Sequence, residues 1–330
     1  MRAAYLTDGD RVVELVYSDS TQKRLSELFD FYDGVYTSAD SDKIPDVECI
    51  FSSWGMPCYT EEEIKRYFPK LKVVFYAAGS VQDFARPFLN LGIPVLSAWL
   101  ANSVPVIEYT VAQIILANKG FFQANRKLTS LENRKVSQMY GLTFPGNYDT
   151  PVGLIGLGAI GAGVANMLKA YRLKVYAYDP FASDEKLAAL GVERMSLEDI
   201  FTKCQTISNH TANVPETVGM LNKKYFDLMK DNATFINTGR GAQVVEEDLI
   251  NALIEKPDRT AVLDVTDPEP PVEGSPFYSM PNVYLTPHMA ESANEECKRM
   301  GEYMLSEAER FVKGEDFKYS VTFKMLETMA

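Results

Sequence analysis

The stretch from Pro151 to Pro180, PVGLIGLGAIGAGVANMLKAYRLKVYAYDP, constrains the fold more than any other part of the chain. It opens with an apolar β-rich run, Val152–Ile155, and then places Gly156, Gly158 and Gly161 at GxGxxG spacing. A helical run through Ala159 and Ile160 follows, and a second β-rich run, Lys174–Tyr178, ends in Asp179. Strand, glycine turn, helix and strand in this order form a parallel crossover unit whose turn suits a dinucleotide. Gly156 permits the tight turn, Gly158 lets backbone approach a pyrophosphate at the helix N-terminus, and Gly161 allows the helix to pack closely on the strand. Asp179 stands 18 residues after Gly161, where an acid accepts hydrogen bonds from ribose hydroxyls and repels a 2′-phosphate; Pro180 and Phe181 follow it, with no arginine adjacent. The expected cofactor is NAD, not NADP.

The same alternation of short β-rich runs and helical stretches extends almost from end to end, which predicts the α/β class with parallel sheets. Strands are expected at Ala3–Leu6, Cys49–Phe51, Lys72–Tyr76, Val152–Ile155, Lys174–Tyr178, Thr206–Asn209, Thr234–Asn237, Ala261–Asp264 and Val283–Leu285. Capping boxes are expected at Thr60/Glu63, Ser196/Asp199 and Ser292/Glu295, where a hydroxyl and an acid satisfy helix-end amides. A long apolar helix is expected from about Pro105, in its first turn, to Gly120. At 330 residues the chain is long enough for two domains, the first ending near Ser103. Periodicity alone does not say which of them the last helix, after Ser292, packs against.

Composition narrows the function. A formal charge of −12 excludes a protein that grips nucleic acid by neutralising phosphates. Four cysteines, Cys49, Cys58, Cys204 and Cys297, lie far apart without a CxxC pair, so no zinc site or disulfide framework is indicated and no metal is expected. The longest apolar stretches are interrupted well short of a membrane span, and charge enters early in MRAAYLTDGDRVVEL, so the reading is cytoplasmic, with no membrane partner.

Three further residues sit just beyond expected strands: Arg240 in INTGRGAQV, Glu269 in LDVTDPEPP and His288 in VYLTPHMA. In an open parallel sheet those ends line the ligand crevice. Arginine presents a planar fork that binds a carboxylate bidentately and keeps its charge. Histidine exchanges a proton near neutrality, and a neighbouring carboxylate such as Glu269 orients its ring. The chain has only two histidines, His210 and His288.

Taken jointly, GLGAIG with YDP, NHTANVPET, FINTGRG, LDVTDPEP and LTPHMA, in this order, resemble the D-isomer-specific 2-hydroxyacid dehydrogenase family across most of the chain. The resemblance implies interconversion of a 2-keto acid and a D-2-hydroxyacid by hydride transfer, of the D-lactate or 2-hydroxyisocaproate dehydrogenase kind. It implies that Arg240 holds the substrate carboxylate, that His288 is the general acid/base and that Glu269 pairs with it. Asp264 would face the nicotinamide amide; Thr238, Gly239 and Arg240 would line the cofactor, with His210, Thr211, Ala212 and Thr217 along the dinucleotide. It further implies two doubly wound parallel-sheet domains. These are a Rossmann-type NAD-binding domain, 104–295, and a flavodoxin-like substrate domain built from residues 1–103 and 296–330, in a homodimer.

In YAAGSVQDF the chain departs from the family's usual Asp or Asn near Val81, leaving the backbone amides around Ala78, Gly79, Ser80 and Val81 to grip the substrate carboxylate. Phe51, Trp54, Tyr76 and Trp99 are candidates for an apolar pocket near this loop, although aromatics more often belong to the core. The competing reading is an NAD(H)-sensing regulatory protein on the same scaffold. A formate-dehydrogenase-like relative is disfavoured by Glu269.

Overall fold

The computed structural model describes residues 1–327, so the last three residues of the expected substrate domain, 328–330, lie outside the described residues. The chain divides into two compact units. The first comprises Met1–Ser103 and the stretch that begins at Ser292, and the second Val104–Glu291. The second cut falls at 291/292, where the sequence alone suggests 295/296.

The first unit carries a five-stranded parallel sheet in the order β2-β1-β3-β4-β5, with β1 Arg2–Leu6, β2 Asp30–Tyr36, β3 Cys49–Ser52, β4 Val73–Tyr76 and β5 Val95–Ser97. Strands β3 and β4 are buried at every residue, which is why they read as unbroken apolar runs. Phe51 stacks on Phe75 across them with centroids 4.6 Å apart. Strand β2, absent from the sequence expectations, is an edge strand whose polar DFYDGVY pattern leaves it half-exposed. Strand β5, also missed, has only three residues.

The last long helix, Cys297–Lys313, packs here: Met300, Met304 and Ala308 are fully buried in this core, and Phe311 meets Phe75 edge-on. The segment beyond it runs beside β5, with Val321 N–H donating to the Val95 carbonyl at 2.8 Å. Glu307, fully buried, accepts the Lys318 amide at 2.9 Å and helps hold that segment.

The second unit carries a seven-stranded parallel sheet in the order β12-β11-β10-β9-β6-β7-β8. Its strands are β6 Tyr148–Ile155, β7 Arg172–Tyr178, β8 Glu193–Arg194, β9 Thr206–Asn209, β10 Thr234–Asn237, β11 Thr260–Leu263 and β12 Val283–Leu285. Alternate residues face opposite ways: Phe235, Ala261 and Leu263 join one apolar layer, and Ile236 and Val262 the other. Helices therefore cover both faces, and both units have the doubly wound α/β architecture. The two-residue edge strand β8 is too short to leave a hydrophobic signature.

Two local expectations are corrected. The long helix runs from Trp99 to Asn118, so Pro105 lies inside it and the Ala101 carbonyl lacks its usual donor four residues on. This helix is long and apolar enough to cross a membrane by length and composition alone, yet Val111, Ile114 and Ala117 are buried in the second unit's core. Ser292 caps no helix: its amide donates to Asn102 Oδ1 at 3.3 Å, and the helical turn after it is capped by Glu296 accepting the Ala293 amide. The Thr60/Glu63 box forms in both directions, while Ser196 accepts the Asp199 amide.

Candidate active site

The glycine turn follows β6 directly. Gly156 adopts φ +86°, a left-handed conformation that side chains disfavour, and a Cβ there would meet the His210 carbonyl at 2.8 Å. A Cβ on Gly161 would lie 2.0 Å from the Gly156 carbonyl oxygen, so the helix Ala159–Leu168 can start this close to the turn only on glycine. Beside Gly158 the space is open within 4 Å. The helix thus presents its unsatisfied first-turn amides, including those of Ile160 and Gly161, to an open face that fits a pyrophosphate.

At the end of β7, Asp179 Oδ2 accepts the Leu157 amide at 2.7 Å, and Oδ1 accepts those of Phe181 and Ala182 at 2.8 and 3.0 Å. The carboxylate is therefore held at the turn. Adjacency in sequence misleads in one respect: Arg194, at the end of β8, lies against this same loop.

His210 follows β9 with its ring fully enclosed, and neither ring nitrogen has a partner among the described residues. Buried nitrogens without a partner beside the glycine turn fit a wall along which a dinucleotide would lie. Desolvation pushes the His210 imidazole from its usual 6.5 down to about 3. The folded chain thus holds this ring neutral while the unfolded chain protonates it below 6.5. Its contribution to stability is complete above that pH and is lost progressively as pH falls toward 3. Urea midpoints measured from pH 7 to 4 should fall more steeply for the native chain than for His210→Gln; parallel slopes would refute this. Thr211 N–H and Oγ1 both donate to Asn209 Oδ1, and Thr217 Oγ1 closes the loop on the Ala212 carbonyl at 2.6 Å. Thr238 Oγ1 lies 3.2 Å from Thr110 Oγ1.

Of the three catalytic candidates, two are in direct contact: His288 Nδ1 lies 2.7 Å from Glu269 Oε1. His288 has φ +51°, an uncommon conformation for a non-glycine residue, and its loop is held by Asp264. The Asp264 carbonyl accepts the His288 amide at 3.1 Å, and its carboxylate accepts Thr286 Oγ1, Met289 N–H and Ala290 N–H at 2.6, 2.9 and 3.0 Å. Arg240 is half-buried, gives one N–H to the Gly239 carbonyl at 2.8 Å, and has no carboxylate partner among the described residues. Its loop is pressed on the segment leading to Glu269, since a Cβ on Gly241 would lie 1.9 Å from the Thr266 carbonyl carbon.

Sequence reasoning missed what holds the Arg240 loop. Asn209, Asn237 and Gln243 are buried and bonded to one another: Asn209 Nδ2 donates to Asn237 Oδ1 at 3.0 Å and to Gln243 Oε1 at 2.5 Å. Asn237 receives the Gly239 amide and donates to the Arg240 carbonyl; Gln243 receives the Arg240 amide and donates to the Thr211 carbonyl. Both backbone polar groups of Arg240 are thereby fixed to the loop that carries His210. Amides at the ends of β9 and β10 were the only sequence signal.

In the first unit, Ala78 and Val81 are fully buried while Gly79 is half-buried and Ser80 exposed. Ser97 Oγ donates to the Ala78 and Gly79 carbonyls at 2.9 and 2.7 Å, and no acceptor among the described residues takes the Gly79 or Ser80 amide. Phe51 belongs to the core and Tyr76 packs on Phe84, whereas Trp54 and Trp99 are only half-buried.

Comparison with known proteins agrees with this geometry. Residues 111–290 match the sequence profile of the D-isomer specific 2-hydroxyacid dehydrogenase, NAD binding domain. The chain is 31% identical over 285 residues to YoaD of Bacillus subtilis, covering 85% of this chain and 74% of that protein. It is 30% identical over 268 residues to the D-3-phosphoglycerate dehydrogenase of Archaeoglobus fulgidus, covering 81% of this chain and 50% of that one. The chain thus spans about half the length of that dehydrogenase. In fold it is similar to the NAD-complexed D-isomer specific 2-hydroxyacid dehydrogenase of Lactobacillus delbrueckii ssp. bulgaricus, with a TM-score of 0.79 at 21% identity over 97% of this chain and 100% of that one. It is likewise similar to the D-mandelate dehydrogenase of Rhodotorula graminis, with a TM-score of 0.81 at 20% identity over 97% of each chain. With a profile match over more than half its length and a near relative of similar extent, the chain belongs to the D-isomer specific 2-hydroxyacid dehydrogenase family, and residues 111–290 are its NAD-binding domain.

Proposed function

We propose that the chain is an NAD-dependent oxidoreductase that interconverts a 2-keto acid and a D-2-hydroxyacid, with an unphosphorylated substrate of the lactate or 2-hydroxyisocaproate type. The observation that carries this reading is the 2.7 Å His288–Glu269 contact on a loop clasped by Asp264. NAD, when bound, supplies or accepts the hydride at the substrate's C2. With Nδ1–H given to Glu269, Nε2 of His288 is the nitrogen that donates a proton to the keto oxygen in reduction and removes it in oxidation. Glu269 fixes the tautomer and stabilises the ring when it is charged. Arg240, without an acid partner among the described residues, presents its fork to the substrate carboxylate. Within the first unit, the open amides of Gly79 and Ser80 can grip a carboxylate.

The net charge of −12 speaks against a phosphorylated substrate, in contrast to the relative that acts on 3-phosphoglycerate. The test is NADH oxidation across a panel of 2-keto acids that includes a phosphorylated one. Preference for the phosphorylated acid would overturn the substrate class; tight NADH binding with no turnover would transfer support to an NAD(H)-sensing role. Arg240→Lys should raise KM for the best keto acid about tenfold or more while leaving NADH affinity in place, because a point charge replaces a fork. An unchanged KM would remove Arg240 from the substrate.

The same proposal includes a cytoplasmic homodimer. Cys49, Cys58 and Cys204 are free thiols, as in reducing compartments. Leu131, Val136, Met139 and Leu142 each expose more than half their surface on one segment of the second unit, four apolar side chains that a second copy would cover. Sedimentation at the mass of one chain would refute the dimer.

A further inference from the structure

Arg194 occupies the end of the edge strand β8 and reaches across to the loop after β7. Its Nη1 donates to the Asp179 carbonyl at 2.8 Å, and its Nη2 to the Ala182 carbonyl at 2.6 Å and the Asp184 carboxylate at 3.0 Å. Nothing in the proposed chemistry uses these contacts. The amides of Leu157, Phe181 and Ala182 converge on the Asp179 carboxylate. The loop is thus held at both the carbonyl and the carboxylate of Asp179, which stands fixed between the glycine turn and an arginine.

We propose that Arg194 is a cofactor-selectivity residue: it braces the loop that carries Asp179, and once the Asp179 charge is removed it becomes the ligand for the 2′-phosphate of NADP(H). A 2′-phosphate needs a cation beside the ribose, and a guanidinium fork is the side chain best shaped for it. Arg194 is the one cationic side chain hydrogen-bonded to the 179–184 loop among the described residues. Its Nε–H and one Nη1–H have no acceptor there. Its only acidic partner, Asp184, is 91% exposed, so that pair is screened by water and salt and gives way to a doubly charged phosphate. On this view the chain selects NAD by the charge of Asp179, with the cation that a phosphate would require already in place.

The test is binding, not turnover. Native chain, Asp179→Ser, Arg194→Gln, Asp179→Ser/Arg194→Gln and Asp179→Ser/Arg194→Lys are titrated calorimetrically with NADH and with NADPH, and each variant's Tm is recorded. Asp179→Ser should lower the NADPH Kd about tenfold or more, adding Arg194→Gln should abolish that gain, and Arg194→Lys should keep part of it. Asp179→Asn, nearly isosteric, replaces the serine variant if the latter does not fold. The proposal is overturned if removing the acid brings no gain for NADPH, or if the gain survives without Arg194. The ratio of the two Kd values separates a phosphate ligand from a brace. A purely structural Arg194 would weaken both nucleotides alike in the Asp179→Ser background and leave that ratio unchanged, which also overturns the phosphate assignment.

Discussion

His288→Ala is expected to lower kcat for keto acid reduction by about 10²- to 10⁴-fold, the range over which a positioned acid/base acts, while NADH still binds. The size follows from the site: His210, the other histidine, is buried with its imidazole pushed down to about 3, so it cannot substitute as a proton donor. Because residue 288 sits at φ +51°, alanine there adds backbone strain that has nothing to do with chemistry. Asparagine tolerates that conformation, so His288→Asn separates the two effects. It should be as inactive as the alanine variant but closer to the native chain in Tm. Turnover within about tenfold of native in the asparagine variant would remove His288 from the proton transfer.

The second large effect is expected at Asp264. Its carboxylate is 2% exposed and accepts a hydroxyl and two amides from the loop that carries His288. Asp264→Ala removes the shared acceptor of the Thr286 hydroxyl and the Met289 and Ala290 amides, and hydrogen bonds to a charged group contribute about 1.5–3 kcal/mol each. A loss of about 3 kcal/mol or more in unfolding free energy is expected, together with a fall in kcat of about a hundredfold as the His288–Glu269 geometry loosens. Asp264→Asn keeps one acceptor oxygen and should recover part of both. Urea denaturation and initial rates measure the two quantities. A variant that lost stability but kept full kcat would confine Asp264 to the scaffold.

What was legible in the sequence was local or periodic. The glycine turn could be read because Gly156 needs a left-handed backbone and Gly161 a close approach, and both needs sit within one strand–turn–helix unit. The acid Asp179 and the three residues Arg240, Glu269 and His288 could be read because parallel strands put their successors at one edge. Some of the failures lie in contacts distant along the chain. Arg194 lies 15 residues beyond Asp179 and meets it only because β8 pairs with β7. Strand β2 hides because edge strands need not be apolar on both faces, and Pro105 misled because a proline six residues into a helix looks the same in sequence as one at its start. Asp264 could be named as a site residue, but its grip on the 286–290 loop depends on which amides happen to point back at it.

Asn209, Asn237 and Gln243 have a further consequence. All three are neutral amides that neither gain nor lose a proton at any pH at which the chain folds, so the hydrogen bonds fixing the backbone of Arg240 do not titrate. On the proposed assignment of Arg240 and His288, the anchor of the substrate carboxylate is therefore insulated from acidity, while proton exchange is left to the one ring in contact with Glu269. The proposed binding and proton-exchange roles thus rest on different hydrogen-bond sets of the same sheet edge, and they can change independently as the chain diverges.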